Sequence, residues 1–159
     1  MDFPGHLDSI PGLLGIRLAG TVVHGDKRGR KLGFPTANIA SPPDAELPPD
    51  GVYSCLVSIA GRPALFGATA SIGNNPTFDD VFERRVEIYI HDFDDQLYGQ
   101  EIAICLLSQL REMRRFSGLE DLIGQTAADV ECSRTLLRDL GLICMAVALS
   151  PTARLATGE

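Results

Sequence analysis

The spacing of apolar residues changes once along the chain, and the two parts predict different secondary structure. From residue 51 onward, alternate positions share one face of a strand, and one face carries Tyr53, Cys55, Val57 and Ile59. Period-two alternation over this length predicts a β-strand. The turn residues that follow, Gly61 to Pro63, predict that this strand and the next form a hairpin.

The same criteria predict five or six short strands with turns between them, and the segment Phe34 to Ile39 is predicted only to be extended. The segments are Ile16 to His24, Phe34 to Ile39, Gly51 to Ile59, Leu65 to Ile72, Val86 to His91 and Glu101 to Leu107. Such a series is typical of a small antiparallel barrel or sandwich. Residues 1–15 are rich in proline and glycine, and we expect an irregular segment there.

After residue 116 the apolar spacing becomes three and four residues, which predicts one amphipathic helix of about 20 residues packed on the strands. Ser117 to Glu120 reads S-x-x-E, a capping box, and Gly141 supplies a C-terminal stop. We therefore expect a barrel and helix over residues 16–141. Residues 142–159 form a tail whose apolar part either docks on the domain or forms a self-association patch.

Length and net charge restrict the classes of function that the chain can have. The 159 residues suffice for one domain, and the net charge of −7 disfavours non-specific binding to nucleic acid or anionic membranes. No apolar run reaches the roughly 18 residues that cross a bilayer. The four cysteines form no C-x-x-C pair and no zinc spacing, which favours a reducing cytoplasm.

A basic, glycine-rich loop follows the first strand. Gly25, Gly29 and Gly33 recur every four residues, and Lys27, Arg28, Arg30 and Lys31 lie among them. Exposed backbone N–H groups with local positive charge suit a bound anion, most often phosphate. The loop matches neither the P-loop nor the Rossmann glycine pattern. A solvated turn is the alternative interpretation.

Thr36 and Asn38 come directly after this loop. A threonine hydroxyl and an asparagine carbonyl are hard oxygen ligands that Mg²⁺ accepts, with phosphates and water completing the shell. The alternative is a turn in which both side chains bond their own backbone.

The strand Val86 to His91 has one wholly apolar face and one that carries Glu87, Tyr89 and His91. A carboxylate on a rigid strand suits removal of a proton from a hydroxyl that attacks phosphorus. A solvated strand face is the alternative.

A second candidate region, Leu110 to Phe116, precedes the helix. It combines three arginines with an aromatic ring. An arginine fork can bind a flavin carbonyl or a phosphate, and a phenylalanine can stack on a planar ring. The alternative is a solvated basic segment in an acidic protein.

Taken together, these motifs resemble the riboflavin kinase (flavokinase) family over roughly residues 16–140. The resemblance rests on an ordered set of short segments: Gly20 to Asn38, Gly51 to Tyr53, Ser71 to Phe78, Val86-Glu87, Asp92-Phe93, Leu97 to Gly99 and Leu110-Arg111. It implies an all-β fold, a six-stranded antiparallel Greek-key barrel with a C-terminal helix packed on it. Asn74-Asn75 departs from the Thr-Arg that is common in bacterial members of the family.

The resemblance also implies an activity: transfer of the γ-phosphate of ATP to the terminal ribityl hydroxyl of riboflavin, giving FMN and ADP, with Glu87 as general base. It implies that Thr36 and Asn38 hold Mg²⁺, or another divalent metal. The implied ATP-binding residues are Gly25, Lys27, Gly29, Arg30, Gly33, Thr36, Asn38, Asn75 and Tyr98. The implied flavin-binding residues are Arg111, Arg114, Phe116 and Ser117.

FMN rather than FAD is the expected product, because the chain has no room for an adenylyltransferase domain and no H-x-G-H motif. We expect a cytoplasmic monomer that binds neither nucleic acid nor membranes. Two alternatives remain open: a non-catalytic flavin or nucleotide sensor, and a kinase for a modified flavin or another polyol.

Overall fold

The computed structural model describes residues 3–23, 36–40, 47–74 and 84–142. Within these ranges the chain forms six strands and one long helix, preceded by a 3₁₀ helix at Gly5–Ser9. The strands are β1 (Ile16–Val23), β2 (Ala37–Ile39), β3 (Gly51–Ile59), β4 (Leu65–Asn74), β5 (Arg84–Ile90) and β6 (Glu101–Arg111), and the helix is α1 (Leu119–Asp139). Each predicted segment contains a strand, although β4 and β6 run two and four residues beyond their predicted ends and β5 covers Arg84–Ile90, which leaves out His91. Residues 24, 34 and 35 of the predicted segments lie outside the described ranges.

The strands close into one antiparallel barrel in the order β1-β2-β5-β4-β3-β6. Three consecutive strands, β3, β4 and β5, lie side by side, and β6 returns to pair with the first of them. This arrangement is a Greek key. The predicted Greek-key barrel is therefore confirmed.

Alternate residues of strand β3 belong to two different apolar clusters, one inside the barrel and one on its outer surface. Its odd-numbered residues, Tyr53 to Ile59, point into the barrel, as the spacing predicted. Leu56 points outward and packs in a second apolar cluster with Leu7 and Leu137. Both faces of β3 are buried because the N-terminal segment and α1 cover the outside of the barrel at this point.

The start of α1 differs from the sequence prediction. Gly118 is the N-cap and no side chain caps the helix. The predicted capping box of Ser117 and Glu120 is therefore wrong. The backbone N–H of Ser117 and its hydroxyl instead donate to Asp121, at 3.1 and 3.4 Å. A carboxylate in the first turn is favourable at the positive end of a helix, so Asp121 stabilises the start of α1 without capping it. At the other end Gly141 has a φ of 76°, which confirms the predicted stop.

Polar pairs fix the position of α1 on the barrel. Ser133 is fully buried, lies 2.7 Å from the hydroxyl of Ser54 and donates to the carbonyl of Ala68 at 3.1 Å. One residue further, Arg134 forms two hydrogen bonds with the carboxylate of Asp92, at 2.7 and 3.1 Å. The helix is thus held to β3, to β4 and to the residues that follow β5. Among the helices that the described ranges contain, none is long and apolar enough to span a membrane.

Candidate active site

A pocket of about 320 Å³ opens at one end of the barrel. Apolar side chains of β1 and β5 line it, including Val22, Ile88 and Ile90. Its other walls are Thr36-Ala37, just before and at the start of β2, and residues 93–98, which connect β5 to β6. The pocket therefore brings together Thr36 and Tyr98, two of the predicted nucleotide-binding residues that are 62 positions apart in the sequence.

The wall formed by residues 93–98 is braced from the β3–β4 turn. Arg62 forms a salt bridge with Asp95 at 2.7 Å, and its guanidinium lies 5.2 Å from the centre of the Phe93 ring. Phe93 also packs edge-on against Phe66, with ring centres 5.1 Å apart. The hydrogen bond from Arg62 lowers the pKa of Asp95, so this carboxylate stays ionised. Asp95 is therefore paired with an arginine, as Asp92 is with Arg134.

A row of paired residues crosses the outside of the barrel beside the pocket. Asn38 of β2 pairs with Glu87 of β5, Glu87 with Ser71 of β4, Ser71 with Val52 of β3, and Val52 with Arg111 of β6. The neighbours of Glu87 in β5 are Val86 and Ile88, which point into the barrel, so Glu87 points outward. Directly paired residues in a sheet have adjacent side chains. Glu87 consequently lies between Asn38 and Ser71, and Arg111 lies at the far end of the row.

Arg111 belongs to a cluster that joins the end of β6 to α1. Its guanidinium lies 5.6 Å from the centre of the Phe116 ring, and that of Arg114 lies 4.8 Å from the same ring. Arg114 forms a salt bridge with Asp121, which also accepts both bonds from Ser117. The Ser117 backbone N–H is the main cause that lowers the pKa of Asp121. All four residues predicted to bind the flavin therefore lie in one cluster.

His91 does not share the position of Glu87. It is 95% buried under α1, and its Nε2 lies 2.7 Å from the hydroxyl of Thr69. Burial lowers the pKa of His91 to about 4, so the ring is neutral near pH 7. The sequence placed His91 on the same exposed strand face as Glu87, and this is wrong for His91 because α1 covers it. Glu87 remains.

Two residues beside the predicted site were missed from the sequence. Asp129 of α1 forms a salt bridge with Arg111, and Ser71 lies between Glu87 and Val52 in the row. The helical spacing could have indicated Asp129. It lies three residues after Thr126 and one before Val130, so this carboxylate falls within the apolar stripe that packs on the barrel. Alternation held a signal for Ser71, which is a polar residue between Ala70 and Ile72.

Thr36 and Asn38, the predicted metal ligands, offer a hydroxyl and an amide carbonyl two residues apart at β2. These neutral oxygens suit a hard cation such as Mg²⁺ that takes its remaining ligands from phosphates and water. No cluster of three histidine, cysteine or carboxylate side chains that could hold a metal occurs in the described part of the chain. The two neutral oxygen donors of Thr36 and Asn38 therefore fit a metal ion that binds together with a nucleotide.

Several predicted residues lie outside the described ranges. These are the loop residues Gly25, Lys27, Gly29, Arg30 and Gly33, together with Asn75. Their roles stay predictions. The described part of the site comprises the pocket, the row through Glu87 and the cluster at Arg111.

Comparison with known proteins identifies the family. The family described as "Flavokinase: Riboflavin kinase" matches residues 14–137, most of this chain. A bifunctional riboflavin kinase/FMN adenylyltransferase of Listeria monocytogenes is 41% identical over 86% of this chain and 43% of its own length. The RNA-binding riboflavin kinase RibR of Bacillus subtilis is 38% identical over 79% of this chain and 53% of its own length.

A solved structure agrees with these sequence matches. The riboflavin kinase of Trypanosoma brucei superposes with a TM-score of 0.60 and 28% identity, covering 82% of this chain and 81% of that one. Fold and site thus define a small Greek-key barrel with a pocket at its end and an outward carboxylate beside it. The chain belongs to the riboflavin kinase family. It spans about half the length of the two curated relatives above.

Proposed function

We propose that this chain transfers the γ-phosphate of ATP to the terminal ribityl hydroxyl of riboflavin, giving FMN and ADP. The observation that carries the proposal is the position of Glu87. It lies in a row between Asn38, which adjoins the pocket, and the arginine–aromatic cluster at Arg111. Family membership supports the same reaction.

The nucleotide is proposed to occupy the pocket and the basic loop before it. The apolar side chains of Val22, Ile88 and Ile90 suit a planar base, and Tyr98 adds an aromatic wall with a polar tip. Thr36 and Asn38 would hold Mg²⁺ through their oxygens. When bound there, the ion would offset the negative charge of the transferring phosphate.

Glu87 is proposed to act as general base. The ribityl oxygen forms a bond to the γ-phosphorus, the bond from that phosphorus to the bridging oxygen breaks, and ADP leaves. The proton of the hydroxyl passes to the carboxylate of Glu87. A rigid, hydrogen-bonded strand favours this role because it fixes the distance between base and acceptor.

The flavin ring is proposed to lie at the other end of the row. Three ladder steps separate Glu87 from Arg111, and strands in a sheet are about 4.8 Å apart, so the row is roughly 14 Å long at this point. An acceptor with a planar ring at one end and a hydroxyl at the end of a chain suits such a separation. Arg111, Arg114, Phe116 and Ser117 would contact the ring.

The experiment incubates the protein with riboflavin, ATP and Mg²⁺ and separates the flavins by chromatography. FMN that appears with wild-type protein and is strongly reduced with Glu87→Gln supports the proposal. Riboflavin binding without FMN would overturn it in favour of a sensor. FMN formed only from other flavins, or phosphate transferred only to another polyol, would overturn the choice of acceptor.

The setting of the reaction is also a proposal. We propose that residues 16–141 are the kinase unit, with an N-terminal segment over 1–15 and a tail over 142–159, and that it works in the cytoplasm as a monomer. The net charge of −7 supports small-molecule partners over nucleic acid. Light scattering of the purified chain tests the monomer.

A further inference from the structure

Asp129 and Arg111 form the most buried ion pair of the described structure, with side-chain exposures of 7% and 19%. Nε of Arg111 lies 3.0 Å from each carboxylate oxygen of Asp129, and Nη2 lies 2.9 Å from Oδ2. Such side-on pairing fixes the plane of the guanidinium as well as its position. A carboxylate this deeply buried needs such a partner, because an unpaired charge there is costly.

One further contact of Asp129 supports its ion pair with Arg111. Gln125, one helical turn earlier, donates its side-chain amide to Oδ1 at 2.9 Å. Both oxygens of Asp129 are thus hydrogen-bonded, Oδ1 to Arg111 and Gln125 and Oδ2 to Arg111. Among the predicted site residues, Arg111 is the one that these contacts of Asp129 reach.

Arg111 keeps donors for a ligand. A guanidinium has five N–H groups. The contacts to Asp129 use Nε and one N–H of Nη2, and Nη1 donates one to the carbonyl of Glu112 at 3.0 Å. One N–H on each terminal nitrogen remains, beside the ring of Phe116. Because Asp129 cancels the charge, these donors suit an uncharged carbonyl better than an anion.

We propose that Asp129 is a positioning residue that selects the acceptor: it holds Arg111 in place and neutralises it, so that the site takes an uncharged planar ring with carbonyl groups. The proposal rests on the proposed function, because it assigns the acceptor end of that site. The helix α1 thereby supplies a determinant of acceptor binding, although it contributes nothing to the row itself.

The test compares Asp129→Asn with Asp139→Asn, the same change at an exposed position of the same helix. We expect Asp129→Asn to raise the KM for riboflavin about tenfold, as freeing an arginine side chain should, with kcat and the KM for ATP within twofold. Sulfate should become an inhibitor competitive with riboflavin in Asp129→Asn alone, because Arg111 then carries an uncompensated charge. An unchanged riboflavin KM, or equal losses for ATP and riboflavin, would overturn the proposal.

A second pair of variants separates positioning from stability. In Arg111→Gln, adding Asp129→Asn should change the riboflavin KM less than twofold, since Asp129 has nothing left to position; a further large rise would contradict the proposal. Should Asp129→Asn fail to fold, Asp129→Glu carries the same expectation for the riboflavin KM, because the longer side chain displaces Arg111, but no inhibition by sulfate is expected there, because the charge is kept. Wild-type protein that neither binds riboflavin, by quenching of its fluorescence, nor forms FMN would instead refute the proposed function. If the wild-type protein binds riboflavin without turnover, Asp129 is still tested, by comparing the riboflavin Kd of Asp129→Asn with that of wild type.

Discussion

Glu87 and Asn38 are direct partners in the antiparallel ladder between β5 and β2. Strand β2 has only three residues, and all three pair with β5. The candidate base and a candidate phosphate-site residue therefore keep a fixed separation, set by backbone hydrogen bonds. Such rigidity is what a reaction that depends on positioning requires.

Glu87→Gln should lower kcat about a hundredfold and leave riboflavin and ATP binding nearly unchanged. The amide keeps the size of the side chain but cannot accept the proton. Steady-state kinetics of FMN formation, with ligand binding measured separately, check this. Glu101→Gln, an exposed carboxylate at the start of β6, is the matched control. Near-normal turnover of Glu87→Gln would remove Glu87 from the role of base.

Thr36→Ala should weaken Mg²⁺-dependent ATP binding roughly tenfold, because it removes an oxygen donor at the edge of the pocket. The KM for ATP, measured over a range of Mg²⁺ concentrations, is the readout. Thr36→Ser keeps the hydroxyl and should stay close to wild type. If the metal dependence of Thr36→Ala matched that of wild type, Thr36 would not be a ligand.

Stability should rise with pH between about 4 and 6.5 because of His91. Burial is the main cause that lowers its pKa to about 4; the charge of Arg134 acts in the same direction and that of Asp92 opposes it. An unfolded histidine titrates near 6.5, so within this window the unfolded chain binds more protons. The contribution, about 3 kcal/mol, is fully present above pH 6.5 and is lost as the pH falls toward 4.

Urea unfolding at several pH values measures this effect. His91→Gln should flatten the pH dependence in that window, whereas His6→Gln, at an exposed histidine, should leave it as in wild type. The carboxylate of Asp92, whose pKa is lowered mainly by its hydrogen bond with Arg134, loses its contribution only below its ordinary pKa of 3.8. A slope that persists in His91→Gln would show that another group titrates.

Ser133→Ala should destabilise the protein by about 1–3 kcal/mol. Ser133 donates its proton to the carbonyl of Ala68, so the hydroxyl of Ser54 is the donor in the 2.7 Å contact between the two serines. The change leaves that buried hydroxyl without its acceptor. Replacing both serines with alanine should cost less than the sum of the two single changes. Thermal or urea unfolding of the three variants checks this, and strict additivity would contradict it.

Sequence patterns were sufficient for the elements of the fold. Alternation located the strands, and the three-to-four spacing located α1 and its end at Gly141. These signals are local, because each depends only on which side of a strand or helix a residue occupies. The start of α1 was mispredicted because Ser117 and Asp121 bond each other, a choice among nearby polar groups that spacing does not decide.

The sequence by itself determined which residue types could carry the chemistry: an outward Glu87, oxygen donors at Thr36 and Asn38, and an arginine–aromatic segment at Arg111. Only the tertiary structure decided how they combine. Closing the barrel aligned β2, β5, β4, β3 and β6 into one row, and docking α1 buried His91 and paired Asp129 with Arg111. Both outcomes depend on strand register and helix packing between residues far apart in the chain, which no local pattern encodes.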